Sequence, residues 1–189
     1  MLRNNLFDLS DWPQIKVDGF NTLYNRGVID LNVFNNTSIN MGKGDNFLKI
    51  DGPVDGINVM NNVYMAPNMV TGANTAAPVF VVDTSLKSFS KITNNVWYVG
   101  GIGAYAKGGV NYVWPMWSNS AGYQTAAEWN SYSQVGTDLF SKTTVDGSFR
   151  PEAGSSAIGE GIQAPGVFVD FYGNARPSSG SITAGAVQV

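Results

Sequence analysis

Residues 59–64 read Val-Met-Asn-Asn-Val-Tyr, an Asn-Asn pair set between apolar residues. The arrangement recurs at 2–7 (LRNNLF), 33–38 (VFNNTS) and 92–97 (ITNNVW). The pairs begin at Asn4, Asn35, Asn61 and Asn94, so they lie 31, 26 and 33 residues apart. That range fits one turn of a stacked repeat carrying loops of variable length. The flanks alternate: Leu31 and Val33 precede one pair and Ile39 follows it; Ile57 and Val59 precede the next and Val63 follows; Ile92 and Val96 flank the last. Alternation up to a polar pair and again beyond it predicts strand, corner, strand.

Asparagine supplies what such a corner needs. Stacked parallel strands lie about 4.8 Å apart, so equivalent corner residues sit directly over one another. Their amides can hydrogen-bond along the stack as a ladder. Asn also enters the left-handed conformation that a sharp corner requires. One Asn of each pair is therefore expected to turn the chain and the other to join the ladder. The rival is an antiparallel sandwich with polar turns, which would favour Asp-Gly hairpins. Asp-Gly does occur, at 18–19, 51–52, 55–56 and 146–147.

Composition agrees with a turn-rich, helix-poor chain. Its 189 residues suffice for one domain, and they include 22 Gly, 20 Asn and 11 Asp against 3 Glu. Net charge is −3, with no Lys/Arg run, so the footprint of a nucleic-acid binder is missing. The chain has no Cys and no His. This excludes disulfides, thiolate zinc sites and Ser-His-Asp or Cys-His catalysis within it. No apolar run reaches the ~18 residues of a membrane span. The opening MLRNNLFDLSDW lacks the apolar core of a signal peptide and reads as the middle of a repeat. The chain is accordingly expected to be a fragment or processed piece of something longer.

Along the chain, LKIDG (48–52) and PVFVVDT (78–84) read as strands, and residues 66–78 as a loop leaving the stack. Residues 125–133 read as a short helix, with Thr125 and Glu128 spaced as a capping box. GGIGAYA (100–106) follows a strand but runs into KGG, which breaks the helix a dinucleotide site needs. Asn35-Asn36-Thr37 and Asn36-Thr37-Ser38 fit the glycosylation acceptor pattern, but at a ladder corner.

Candidate binding residues come from an aromatic cluster. Trp97, Tyr98, Tyr105, Tyr112, Trp114, Trp117 and Tyr123 fall within 27 residues. Sugars present C–H faces that stack on such rings. Trp97, Tyr98, Tyr112, Trp114, Trp117 and Tyr123 are the candidate substrate-binding set, and a ring cluster covering one end of the stack is the competing reading. Glycoside hydrolysis would need paired acids ~5–9 Å apart. Asp8/Asp11, Asp51/Asp55 and Glu152/Glu160 are the nearby pairs. A β-elimination lyase would need a Lys, Tyr or Arg base and a group that neutralises a uronate. Lys87, Lys91, Lys107 and Arg150 are available, and no spacing singles them out. No catalytic residue is assigned. No cofactor or metal is assigned either: Asp and Asn oxygens could hold calcium, but neither an EF-hand nor a nonapeptide calcium repeat is present.

The C-terminal third carries a resemblance. GSSAIGEG (154–161), DFYGNARP (170–177) and TAGAVQ (183–188) resemble the ending of secreted right-handed parallel β-helix proteins of the polysaccharide lyase-like group, chondroitinase B and alginate lyase types included. Those endings run roughly S-P-A-I-D-x-G, D-x-x-G-x-x-R-P and G-A-Y-E. Ser155, Ala157, Ile158 and Gly161 match the first element; Asp170, Gly173, Arg176 and Pro177 the second; Gly185 and Ala186 the third. Ser156, Gly159, Val187 and Gln188 depart from it. No residue here matches the Lys, Arg and calcium site of the lyases. The motif invites a bidentate Asp170–Arg176 pair across a turn at Gly173.

The resemblance implies a right-handed parallel β-helix, a solenoid of about four to six coils. Coils with loop insertions would occupy 1–124, and the C-terminal coil and cap 125–189. Leu6, Val33, Ile39, Val59, Val63, Phe80, Val82, Ile92 and Val96 are the expected interior. The implied function is the C-terminal portion of an extracellular or cell-surface protein acting on or binding an acidic polysaccharide. The alternative is a non-catalytic structural or adhesive module assembling through its coils. Unpaired edges at the first coil call for a preceding segment or self-association there.

Overall fold

The computed structural model describes residues 1–8, 15–18, 28–40, 47–51, 54–67, 79–82, 89–99, 112–113, 124–125, 136–139 and 141–189. These residues form parallel strands stacked in register, with no helix among them. The first rung holds β1 (Leu2–Arg3), β2 (Leu6–Asp8) and β3 (Ile15–Asp18). The second holds β4 (Val28–Ile29), β5 (Asn32–Phe34), β6 (Thr37–Ile39) and β7 (Leu48–Asp51). The third holds β8 (Val54–Asp55), β9 (Ile57–Met60), β10 (Val63–Ala66) and β11 (Val79–Val82). The fourth holds β12 (Phe89–Thr93) and β13 (Val96–Val99).

Strands before the corners form one sheet in the order β1-β5-β9-β12, and strands after them form another, β2-β6-β10-β13. A third parallel sheet joins β3, β7 and β11. The antiparallel-sandwich reading is thereby excluded for the stack, and the arrangement is β-helix-like and repetitive. β14 (Tyr112–Val113) and β15 (Gln124–Thr125) pair antiparallel. Thr125 closes β15. Residues 126–133, where the short helix was expected, lie outside the described residues. Among the described residues no helix is long and apolar enough to cross a membrane.

Between the first two sheets each Asn pair divides its labour. The first member turns the chain: Asn4, Asn35, Asn61 and Asn94 have φ of 53°, 52°, 56° and 55°. The second member builds the ladder. The Asn5 amide donates to Asn36 Oδ1 at 2.8 Å, Asn36 to Asn62 at 2.9 Å, and Asn62 to Asn95 at 2.9 Å. Each oxygen also accepts the backbone N–H of the same donor residue, at 2.9–3.1 Å. Asn36, Asn62 and Asn95 are all 0% exposed, so these bonds satisfy groups that water cannot reach.

The ladder has one rung more than the Asn pairs reveal. Gly136–Leu139 adds to the stack: Gly136 N–H bonds the Ile92 carbonyl, and Leu139 bridges Val96 in parallel. Asp138 takes the ladder position, accepting the Asn95 side chain and backbone N–H on Oδ1, each at 2.9 Å. Its Oδ2 accepts the Trp97 indole N–H at 2.9 Å.

The corner also resets which face is which. Val33, Val59 and Ile92 point into the main core before the corner, as expected, and Ile57 and Phe89 join them. After it the interior is made by Tyr64, Ala66 and Trp97, packed on Phe47 with ring centroids 6.0 and 5.7 Å away. Val63, Val96 and Ile39, expected inside, instead lie on the outer face with Ala157 and Ala184. The left-handed residue breaks the two-residue alternation, so Met60 and Asn61 both face out and Asn62 and Tyr64 face in. Leu6 is half-buried, and the side chains of Phe80 and Val82 lie outside the described set.

Beyond the rung at 136–139, the C-terminal segment runs along the flank of the stack. Val63, Met65 and Val96 pack under Ala157 and Ala184, while Phe34 and Met60 pack under Ala164 and Val167. Gly185 presses closely here: a Cβ at this position would stand 2.5 Å from Thr37 Oγ1, and its φ is +93°.

Replacing Asn62 by Ala removes the acceptor for two donors of Asn36 in a sealed interior. We expect a loss on the order of 3 kcal/mol in denaturant unfolding, against about 1 kcal/mol for Asn5→Ala, which deletes one donor at a half-open end.

Candidate functional site

The flank is held by the other half of each Asn pair. Asn4 donates to the Val169 carbonyl at 2.7 Å, Asn61 to Ile162 at 2.6 Å, and Asn94 to Glu160 at 2.8 Å. Asn35 reaches the Gly185 carbonyl at 3.5 Å. Ala186 N–H bonds Thr37 Oγ1 at 2.8 Å. The left-handed turn aims these amides outward, so one local conformation sets both the corner and the seat of the tail.

Two tight turns project from the tail. In the first, Asp146 Oδ1 accepts the N–H groups of Ser148 and Arg150 at 2.7 and 3.0 Å. In the second, Asp170 Oδ1 accepts those of Tyr172 and Asn174 at 2.9 and 2.8 Å. The fourth residue of each is left-handed: Phe149 at φ 58° and Gly173 at φ 85°. The turns are thus two copies of one device, a carboxylate tying down the N–H groups two and four residues on. They are also joined: Tyr172 donates its hydroxyl to the Ser148 carbonyl at 2.8 Å, and the Arg150 guanidinium lies 5.1 Å from the Tyr172 ring centre. Phe171 meets Tyr172 edge-on at 5.1 Å and 89°. Phe171 and Tyr172 are 48% and 46% exposed, and Arg150 is exposed. A cation over a half-open ring results.

The expected Asp170–Arg176 ion pair does not form. Asp170 spends its oxygens on the turn, on the Asn174 amide at 3.0 Å and on Gln188 N–H at 3.2 Å. Burial acts to raise its pKa, but these donors outweigh it and hold the carboxyl below its usual value. Arg176 is buried and donates to the carbonyls of Thr183 and Gly185 at 3.1 and 2.7 Å and to Asn4 Oδ1 at 3.4 Å. Burial lowers its pKa to about 10, partly offset by the Asp170 charge, so it stays a cation at neutral pH. Arg176 pins the last strand-like segment to the first corner.

At the far end of the ladder two acids approach. Asp138 is 2% exposed with donors on both oxygens. Burial, and then the Asp138 charge, raise the Glu160 carboxyl to about 7. Glu160 thus holds a proton up to near neutrality. The pair lacks the layout of a glycosidase, since Asp138 is sealed behind its donors and cannot meet a substrate. Among the described residues no three acidic side chains are grouped to hold a metal ion.

Of the aromatic candidates, Trp97 is 1% exposed inside the core, so it has no face to offer a sugar. Its indole instead braces the ladder's last rung. Tyr98 packs half-buried on the outer face. Tyr112 lies in β14, and Trp114, Trp117 and Tyr123 lie outside the described residues. Of the acid pairs, Glu152 is exposed, Asp55 binds the N–H of Gly56, and Asp11 lies outside the described residues. Of the bases, Lys91 is exposed on β12, and Lys87 and Lys107 lie outside the described residues. Asn35 and Asn36, at 1% and 0% exposure, are closed to glycosylation. Tyr172 and Phe171 escaped sequence reading because they sit inside a motif read as structural.

No family model matches this chain, and no curated protein or solved structure does either.

Two measurements check the site's construction. Nothing lies within 4 Å of a Cβ built at Gly173, so Gly173→Ala adds only left-handed strain; we expect about 1–2 kcal/mol lost in thermal unfolding. Glu160 has a native pKa above its ordinary 4.5, so the native state binds the extra proton. The stabilisation is complete below 4.5 and lost as pH rises to about 7. Unfolding midpoints should fall across that window in the parent chain and flatten in Glu160→Gln.

Proposed function

We propose that this chain is a right-handed parallel β-helix of the secreted, polysaccharide lyase-like kind, and that it engages an acidic polysaccharide outside the cell or on its surface. The handedness follows the general rule for parallel strand connections. The observation that carries the function is the Arg150–Tyr172–Phe171 cluster on the tail. A guanidinium matches a uronate carboxylate in shape and charge, and half-exposed rings match the C–H faces of the sugar. Both turns are fixed by Asp carboxylates, so little ordering is needed on binding. Tyr and Arg are also residue types that a β-elimination would employ as base and carboxylate partner.

The second reading is a non-catalytic structural or adhesive module. The stack of parallel rungs held in register by a buried column of amides favours it, since such a scaffold needs no catalytic group.

Calorimetry with alginate, chondroitin and pectate distinguishes the two. At least one acidic glycan should bind, weakening with salt, and Arg150→Ala and Tyr172→Ala should each weaken it about tenfold, worth ~1.4 kcal/mol. Growth of ultraviolet absorbance from unsaturated ends would add lyase activity to binding. Equal binding of neutral glycans, or indifference to both substitutions, defeats the proposal.

A further inference from the structure

A second left-handed corner lies in rungs two and three, between β4 and β5 and between β8 and β9. Its residues are Asp30, at φ 57°, and Gly56, at φ 69°. Ile29 pairs with Asp55, and Asp30 N–H bonds the Asp55 carbonyl at 3.0 Å, so Asp30 is stacked on Gly56. A side chain at 56 would be strained at that φ, and its Cβ would lie 2.5 Å from Asp30 Oδ1. The corner thus favours glycine directly after Asp55. Gly56 N–H turns back on its own neighbour and bonds Asp55 Oδ1 at 2.9 Å. The Asn58 amide holds the Gly56 carbonyl at 3.3 Å, and Asp55 is exposed. The same dipeptide recurs at Asp146-Gly147, also exposed, but there the carboxylate reaches forward. Asp146 Oδ1 accepts the N–H groups of Ser148 and Arg150 at 2.7 and 3.0 Å. The other two Asp-Gly pairs, 18–19 and 51–52, have their glycines outside the described residues.

We propose that Asp55-Gly56 is a self-modification site at which the folded chain converts Asp55 to isoaspartate, and that the turn at Asp146 guards the matching dipeptide there. The Gly56 nitrogen attacks the Asp55 carboxyl carbon, which is bonded to the oxygen it already touches. A new N–C bond forms, and the carboxyl hydroxyl leaves with the N–H proton as water. The product is a five-membered succinimide. Water then opens the ring at either carbonyl. One opening restores Asp55; the other leaves the chain running through the side chain, with the α-carboxylate free. Mass is unchanged, and water is the only co-reactant. Holding nucleophile and carbon together is what raises the rate, and a glycine puts no side chain in the way of ring closure. At 146 the carboxyl must first give up both of its turn bonds before it can meet the Gly147 nitrogen. Conversion at 55 adds one methylene to the backbone of a corner whose Asp55 carbonyl anchors the rung below through Asp30. The site is separate from the Arg150–Tyr172 cluster.

The test ages the intact protein at neutral pH in water enriched in oxygen-18, once folded and once in strong denaturant. Each passage through the succinimide leaves one heavy oxygen on the residue. Peptide mapping with electron-transfer fragmentation locates both that label and the isoaspartate, and an isoaspartyl methyltransferase counts the latter. In the folded protein residue 55 should gain label about tenfold faster than residue 146. In denaturant, where only the shared Asp-Gly sequence acts, the two rates should converge. Residue 55 staying unlabelled in the folded protein, equal rates at 55 and 146 there, or a lead at 55 that survives in denaturant would each overturn the proposal.

Discussion

A buried column of side-chain amides holds this molecule in register. Each rung must bring its second corner Asn to within hydrogen-bond reach of the next, or two donors are stranded where no water can replace their acceptor. A slip of one residue would turn every interior side chain outward. The column thus specifies alignment as much as it stabilises. Its run of amides ends in a change of residue type: Asp138 accepts what Asn95 donates and anchors Trp97.

The first Asn of each pair shows how one backbone constraint yields two results. The left-handed conformation costs most residues about 1–2 kcal/mol, and Asn tolerates it. Once adopted, it turns the chain and presents the amide to the tail. Phe149 at φ 58° holds the same region without that tolerance, secured by the Asp146 carboxylate on the N–H groups either side. Gly173 does the same work in the second turn at no steric cost. The Arg150–Tyr172 contact rests on these turns being rigid.

Much of this was legible in the primary structure, for a definite reason. Asn-Asn pairs at spacings of 31, 26 and 33 announce the corners because the amide is required for both tasks. The fifth rung was hidden because Asp138, not an Asn, takes its ladder position, and Thr137 before it is not left-handed. The facing of Val63 and Trp97 was misjudged because alternation was carried straight through a corner that resets it. Proximity in sequence suggested an Asp170–Arg176 pair, whereas Asp170 is taken up mainly by the N–H groups of its turn and Arg176 by the Thr183 and Gly185 carbonyls. The Arg150–Tyr172–Phe171 cluster was the least legible part, since its rings and cation come together only when the two turns meet.

The seat of the tail has a consequence for biosynthesis. Residues 160–185 bond to corners that stretch from Asn4 to Asn94. A ribosome releases the N-terminal rungs long before the strip that covers them. Until then Val63, Met65 and Val96 face solvent on a nascent chain, as do Phe34 and Met60. Maturation therefore waits for residues 157–187 to emerge, and a product that stops before them would carry a greasy flank, fit for chaperones or for degradation.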